Sequence, residues 1–123
     1  MSKGIVTDYQ KICFICGRPA EAEHHLIFGT AGRELSEKDG LKVPICSSCH
    51  NMGKELNRIH GNTMAERMSK IIGQLAWEKE FAVKKAGEFA HIIDKDRSEK
   101  EIDGLIKKAS REAFRNRYGK SYL

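Results

Sequence analysis

The sequence predicts a small α+β protein with a loop-rich N-terminal half and a helical C-terminal half. A length of 123 residues suits one domain with a single modest core. Residues 11–62 contain all four cysteines, both prolines and four of the five histidines, whereas residues 63–123 contain no proline or cysteine. We therefore place a boundary at residue 62, between a core at 1–62 and a helical extension at 63–123, within one compact domain.

Short apolar segments near the cysteines predict the strands of the N-terminal half. The strand candidates are residues 11–14, 25–28 and 41–45. Residues 29–39 are polar and contain two glycines, a composition that indicates a loop. A helix is expected over residues 47–59, with Gly61 as its stop signal.

Apolar residues at helical spacing predict two helices in the C-terminal half. Thr63 followed by Glu66 forms a capping-box signature, and Ser98 with Glu101 repeats it. The first apolar stripe comprises Met64, Met68, Ile71, Ile72, Leu75 and Ala76. The second comprises Ile102, Leu105, Ile106, Ala109 and Ala113. We interpret both stripes as core or helix-pairing faces.

The charge balance bears on partners and location. A formal net charge of +5 favours polyanions such as nucleic acid, although a mild excess of lysine also occurs on ordinary soluble surfaces. The first ten residues lack the apolar run of a signal peptide, and no stretch approaches the ~18 apolar residues of a membrane span. We expect an intracellular, cytoplasmic protein with no membrane partner.

Two cysteine pairs predict a structural zinc site. Cys13-Phe-Ile-Cys16 and Cys46-Ser-Ser-Cys49 each place two residues between thiols, so both pairs can converge on one tetrahedral ion. Gly17 suits the tight turn after the first pair. The alternatives are two redox pairs or four unrelated thiols, but a thioredoxin-like pair needs a βαβ context that this chain lacks.

Four histidines accompany the cysteine pairs. His24 and His25 lie between the pairs, His50 follows Cys49 directly, and His60 comes ten residues later. Adjacent histidines on an extended segment point to opposite faces, so one can bind a metal while the other remains free. A free imidazole can take a proton from water near neutral pH, and a divalent metal can stabilise a leaving oxygen. Together these groups suffice to hydrolyse a phosphodiester.

The motifs Cys-x-x-Cys-Gly, Glu-His-His and Val-Pro-Ile-Cys-x-x-Cys-His resemble those of the HNH nucleases, in particular the zinc-stapled variants encoded by phages. The resemblance covers residues 11–62, and residues 114–123 are similar to the tail of such phage proteins. It implies a ββα-metal (treble-clef) core, in which a β-hairpin and an α-helix surround one metal. It also implies a phage or prophage origin.

The resemblance assigns roles to the histidines. It implies that His25 is the general base and that His24, His50 and His60 bind a catalytic divalent metal, namely Mg, Mn, Ni or Zn. The implied activity is that of a metal-dependent endonuclease, and the expected partner is nucleic acid, with double-stranded DNA favoured.

One position departs from the family pattern. The family has an asparagine about five residues before the second cysteine pair, where it orients the base, but this chain has Gly40 and Leu41 there, preceded by Asp39. We expect either the Asp39 carboxylate or a backbone carbonyl to hold the His25 imidazole instead.

Basic residues near the motifs are candidates for phosphate contacts. These are Arg33, Lys54 and Arg58. Two other readings stay open: a catalytically inactive zinc module that binds nucleic acid or protein, and a scaffold protein whose zinc staples the N-terminal half. Metal content separates them, since only the nuclease requires a second, exchangeable divalent ion. The oligomeric state is not predictable from the sequence.

Overall fold

Two short antiparallel strands and three α-helices form the main regular structure of the computed structural model, which describes residues 3–89 and 99–123. Their bounds, in chain order, are β1 Ala22–His25, α1 Thr30–Asp39, β2 Lys42–Ile45, α2 Thr63–Phe89 and α3 Glu99–Tyr118. The predicted small α+β class is confirmed. The chain divides into two units, Met1–Gln74 with Tyr122–Leu123 and Leu75–Ser121. The boundary predicted at residue 62 falls at the start of α2, whereas the division of the chain falls after Gln74, within the sequence of that helix.

The two strands form an antiparallel sheet in the first unit. β1 and β2 pair antiparallel, with Ala22 opposite Ile45 and His25 opposite Lys42. All four residues of β2 are buried. The strand candidate at 25–28 was misplaced, because pairing with β2 begins at Ala22 and ends at His25.

The connection between the strands contains a helix, so the prediction of a loop over residues 29–39 is wrong. Gly29 and Gly40 flank α1, both with positive φ. Between them Gly32 is the poorest helix former, and Ala, Glu, Leu, Lys and Arg supply the propensity. The two glycines that suggested a loop therefore have other places: Gly29 is the N-cap of α1, and Gly32 lies within the helix.

The segment after the second cysteine pair is not the continuous helix predicted for residues 47–59. It contains a π-helical turn at Ser48–Met52 and a 3₁₀ turn at Glu55–Asn57, separated by Gly53 in an extended conformation. The chain then reverses, with the Ile59 N–H donating to the Cys49 carbonyl at 2.8 Å and the His60 N–H to the His50 carbonyl at 3.0 Å.

The start of α2 is capped by a residue that the sequence analysis did not select. The Asn62 side chain accepts from the Ala65 N–H at 3.2 Å, so Asn62, not Thr63, is the N-cap. The Ser98 cap signal lies outside the described residues. The predicted stripe on α2 is also partly wrong, since Met64, Met68 and Leu75 are exposed.

The buried residues of the first unit surround the cysteines. Ile45 and Ile59 pack in one apolar cluster with Cys13, Cys46 and Cys49. Three of the four thiols are therefore part of the hydrophobic core, whereas Cys16 is exposed. A domain of this size benefits from such a further source of stability.

The second unit pairs the C-terminal part of α2 with α3. Trp77 packs edge-on against Phe114, with ring centroids 5.6 Å apart, and the Arg111 guanidinium binds Glu78 at 2.9 Å. The buried side of α3 consists of Ile106, Ser110 and Phe114, so the predicted Leu105 and Ala109 lie off it. No helix in the described ranges combines the length and apolar character that crossing a membrane requires.

Candidate metal centres

The first cysteine pair lies in a tight turn that precedes β1. A bridge between Ile12 and Pro19 closes the turn, and the Gly17 N–H donates to the Cys13 carbonyl at 3.0 Å. Gly17 has φ +78°, a value that side chains disfavour, so the predicted need for glycine is confirmed. The Ile15 N–H points at the Cys13 sulfur at 3.4 Å, which stabilises a thiolate there.

The second pair follows β2 and completes a cluster of four thiols. The four sulfurs lie within 4.8 Å of one another, and the Cys16 and Cys46 sulfurs are 3.6 Å apart. A tetrahedral zinc with bonds of about 2.3 Å requires sulfurs roughly 3.8 Å apart, whereas a disulfide requires about 2 Å. All four cysteines are free. The predicted cysteines thus come together in a cluster that could bind zinc.

The electrostatics of the thiol cluster suit a cation. Burial raises the pKa of Cys13, but N–H and thiol hydrogen bonds outweigh burial and lower it to about 6. Burial and the neighbouring sulfurs raise the pKa of Cys49 to about 12. The Cys13 thiolate is thus favoured and the Cys49 thiolate is opposed, and a cation bound among the sulfurs would favour the thiolate form.

A second cluster consists of three histidines. β1 supplies His24, the π-helical turn supplies His50, and the chain reversal places His60 beside it. Their ring centroids are 4.8 to 5.2 Å apart, and one donor atom from each lies within 4.8 Å of the others. The three residues named from the sequence are therefore adjacent in space, in an arrangement that could hold a metal ion.

Hydrogen bonding determines which nitrogen of His24 keeps a lone pair that a metal could use. The Ser69 hydroxyl donates its hydrogen to the Leu26 carbonyl at 2.8 Å, so it must accept from His24 Nε2, which lies 2.7 Å away. Nε2 therefore carries the hydrogen of the neutral ring, and Nδ1 retains a lone pair. That Nδ1 is buried and has no hydrogen-bond partner among the described residues, as expected for a nitrogen that binds a metal.

Two of the three clustered rings, those of His24 and His50, are held in the neutral form. Burial, followed by the charges of His60, His50 and His25, lowers the pKa of His24 to about 3. Burial and the same kind of repulsion also lower the pKa of His50. A neutral imidazole is the form that binds a metal, so the donors fit a divalent ion with nitrogen ligands.

His25 faces away from its neighbour and meets a carboxylate. Its Nε2 lies 3.3 Å from Glu37 Oε1, and Glu37 Oε2 lies 2.6 Å from the Lys42 ammonium. The hydrogen bonds from Lys42 and His25 lower the pKa of Glu37. Asp39 or a backbone carbonyl was expected here, and the structure brings a different carboxylate to the ring.

A cleft of about 320 Å³ joins the histidine cluster to His25. Its lining comprises Glu23, His24, His25, Phe28, Gly29, Arg33, His50 and His60. Of the predicted phosphate-binding residues, Arg33 lines this cleft. It also lines a neighbouring cleft of about 430 Å³ that runs along α1 and again includes His25.

The other two basic candidates are placed differently. Arg58 donates to the His60 carbonyl at 2.6 Å and to the Gly53 carbonyl at 3.1 Å, so its guanidinium braces the reversal of the chain. Lys54 is exposed, and neither residue is among the described residues that line the cleft.

Three residues of the site were not selected from the sequence: Ser69, Glu37 and Lys42. Ser69 lies 45 residues from its partner His24, and no local pattern marks such a contact. Glu37 lies on the helix that was interpreted as a loop. Lys42 could have been noticed as a charged residue beginning an apolar strand.

The fold and the site define a small α+β protein with a four-cysteine cluster beside a three-histidine cluster. Comparison with known protein families, with curated proteins and with solved structures finds no match to this chain.

Proposed function

We propose that this chain is a metal-dependent endonuclease of the HNH type, which hydrolyses phosphodiester bonds of nucleic acid. The observation that carries the proposal is the composition of one cleft. Three histidines with convergent nitrogens, a separate imidazole and an arginine all line it. Metal ligands, a general base and a phosphate-binding group are the parts that metal-assisted hydrolysis needs.

Two metals have distinct places in this proposal. The four cysteines would hold a structural zinc, with no open position for chemistry. His24, His50 and His60 would hold a second divalent ion, and among Mg, Mn, Ni and Zn their nitrogen donors favour Ni and Zn. Such an ion, when bound, would polarise the phosphate and stabilise the charge of the leaving oxygen.

The residues of the chain supply the remaining steps. His25 accepts the proton of the attacking water, because it lines the cleft beside the ligands yet belongs to neither metal cluster. Arg33 binds the phosphate, since its guanidinium can meet two phosphate oxygens at once. The net charge of +5 favours a polyanion, and double-stranded DNA is our proposed substrate.

The test is a plasmid-nicking assay with zinc-loaded protein, repeated with Mg²⁺, Mn²⁺, Ni²⁺ and added Zn²⁺. We expect nicking with at least one metal and a rate roughly 10²- to 10⁴-fold lower for His25→Ala, the usual contribution of a general base. His25→Ala purified in the same way also controls for contaminating nucleases. A wild-type protein that nicks nothing while binding DNA would instead support an inactive zinc module.

A further inference from the structure

We propose that Glu37 is a positioning residue for His25. Its carboxylate fixes the imidazole as the Nε2–H tautomer, and Lys42 holds the carboxylate in place. This inference rests on the proposed function, in which His25 accepts a proton, and it assigns Glu37 no contact with substrate.

The strand register and α1 bring these three groups together. His25 and Lys42 are directly opposite each other in the ladder of β1 and β2, so their side chains emerge on the same face. Glu37 approaches that face from α1. Its Oε1 lies 3.3 Å from His25 Nε2, and its Oε2 lies 2.6 Å from Lys42 Nζ, so one carboxylate joins both strands.

The chemistry of the groups leaves one arrangement of hydrogens. The Lys42 ammonium only donates, and the carboxylate only accepts. His25 Nε2 must therefore carry a hydrogen toward Glu37, and in the neutral ring Nδ1 then keeps the lone pair that can accept a proton. Lys42 is unusually well buried, with its side chain 4% exposed, and its second partner is Glu23 at 3.3 Å.

Glu37→Gln tests this arrangement with almost no change in shape. The Lys42 ammonium will take the amide oxygen, so the amide NH₂ will face His25 Nε2, which must then accept. The ring is expected to change to the Nδ1–H tautomer. Cleavage should fall at least about 10²-fold with KM unchanged, because the lone pair at Nδ1 is lost.

A second substitution should restore the tautomer. In Glu37→Gln combined with Lys42→Met, no ammonium competes for the amide oxygen, which can then accept from His25 Nε2–H. We expect this double variant to cleave at least about tenfold faster than Glu37→Gln alone, a coupling that independent destabilising substitutions do not produce. Lys42→Met alone retains the carboxylate and should keep the Nε2–H tautomer.

Glu34→Gln is the matched control. Glu34 lies about one turn earlier on α1, pairs with Lys38 at 3.8 Å and is largely exposed. This variant should leave both the tautomer and the cleavage rate unchanged. Circular dichroism and thermal midpoints of every variant identify any loss of folding.

The tautomer is measured on the zinc-loaded proteins by long-range ¹H–¹⁵N correlation spectra, well above the ordinary histidine pKa. An Nδ1–H ring in the wild-type protein would overturn the inference, as would a folded Glu37→Gln protein with an unchanged ring or unchanged cleavage. If the wild-type protein cleaves nothing, the proposed function fails, while the spectra still decide whether Glu37 sets the tautomer.

Discussion

His24 and His25 are neighbours in the sequence, yet β1 directs them into different chemical surroundings. His24 is 1% exposed, is hydrogen-bonded to Ser69 and belongs to the histidine cluster. His25 meets Glu37 and lines the cleft. Alternation along a strand thus gives the two neighbours different surroundings, as the proposed roles of metal ligand and base require.

Alanine substitutions of these two histidines should therefore affect metal binding and cleavage differently. His24→Ala should weaken binding of Ni²⁺ or Zn²⁺ to the zinc-loaded protein, and a higher metal concentration should restore part of the cleavage. His25→Ala should bind both metals normally and cleave slowly at every metal concentration. Calorimetric titration measures the metal affinity of each variant, and plasmid cleavage across a metal series measures its rate. The reverse pattern would exchange the two roles.

The hydroxyl of Ser69 should affect metal affinity although it touches no metal. Ser69→Ala removes the acceptor that holds His24 Nε2–H, and loss of such an outer partner typically costs 10- to 100-fold in affinity. Ser36→Ala is the matched control, because Ser36 is also buried and, among the described residues, its hydroxyl bonds the Ile27 backbone and no histidine. Calorimetry with Ni²⁺ compares the two variants, and equal affinities would contradict the prediction.

At the scale of elements, α1 adds the side chains that complete the site beside the strand pair. It carries Arg33 to the cleft and Glu37 to His25. The helix ends at Gly40, whose left-handed conformation lets the chain turn directly into β2. The position of α1, and with it the site, depends on this turn.

Gly40→Ala is expected to destabilise the protein by about 1–3 kcal/mol, the usual cost of a side chain in a left-handed conformation. Gly40 has φ +72°, and an added Cβ would lie 2.4 Å from the Lys3 carbonyl oxygen. Gly104 lies within α3 with open space around it, so Gly104→Ala should instead stabilise by about 0.5–1 kcal/mol. Urea unfolding of the zinc-loaded variants gives both values; shifts of the same sign would refute the argument.

At the scale of the whole molecule, the same stretch of backbone supports both the cysteine cluster and the histidine cluster. Cys49 and His50 are consecutive, and the backbone bonds that return the chain to them also place His60. The thiols of Cys13, Cys46 and Cys49 lie in the core of the first unit. Zinc at the cysteines would therefore both stabilise the core and position the three clustered histidines.

Removal of the cysteine site should unfold the first unit. Structural zinc contributes on the order of 10 kcal/mol to folding, comparable with the whole stability of a small domain. Cys46→Ser should lose zinc and much of its thermal stability, whereas Ser47→Ala, at the next position, should retain both. Metal analysis and thermal melts followed by circular dichroism test this. A Cys46→Ser protein with an unchanged midpoint would exclude a structural role for the cluster.

The sequence by itself determined the groups with short-range signatures. Two residues between cysteines allow both thiols to bind one ion, so the two pairs predict a metal site before any fold is known. The class of fold, the helical C-terminal half and the identity of the clustered histidines were also predictable. The finer ββα assignment stays part of the proposal.

Only the tertiary structure decided how the site is supported. The loop at 29–39 is a helix, the helix at 47–59 is a pair of short turns, and Glu37, Lys42 and Ser69 hold the imidazoles. Glycine is compatible with both a loop and a helix end, so local composition did not separate the two at α1. Ser69 reaches His24 across 45 residues, and such contacts depend on packing that no local pattern encodes.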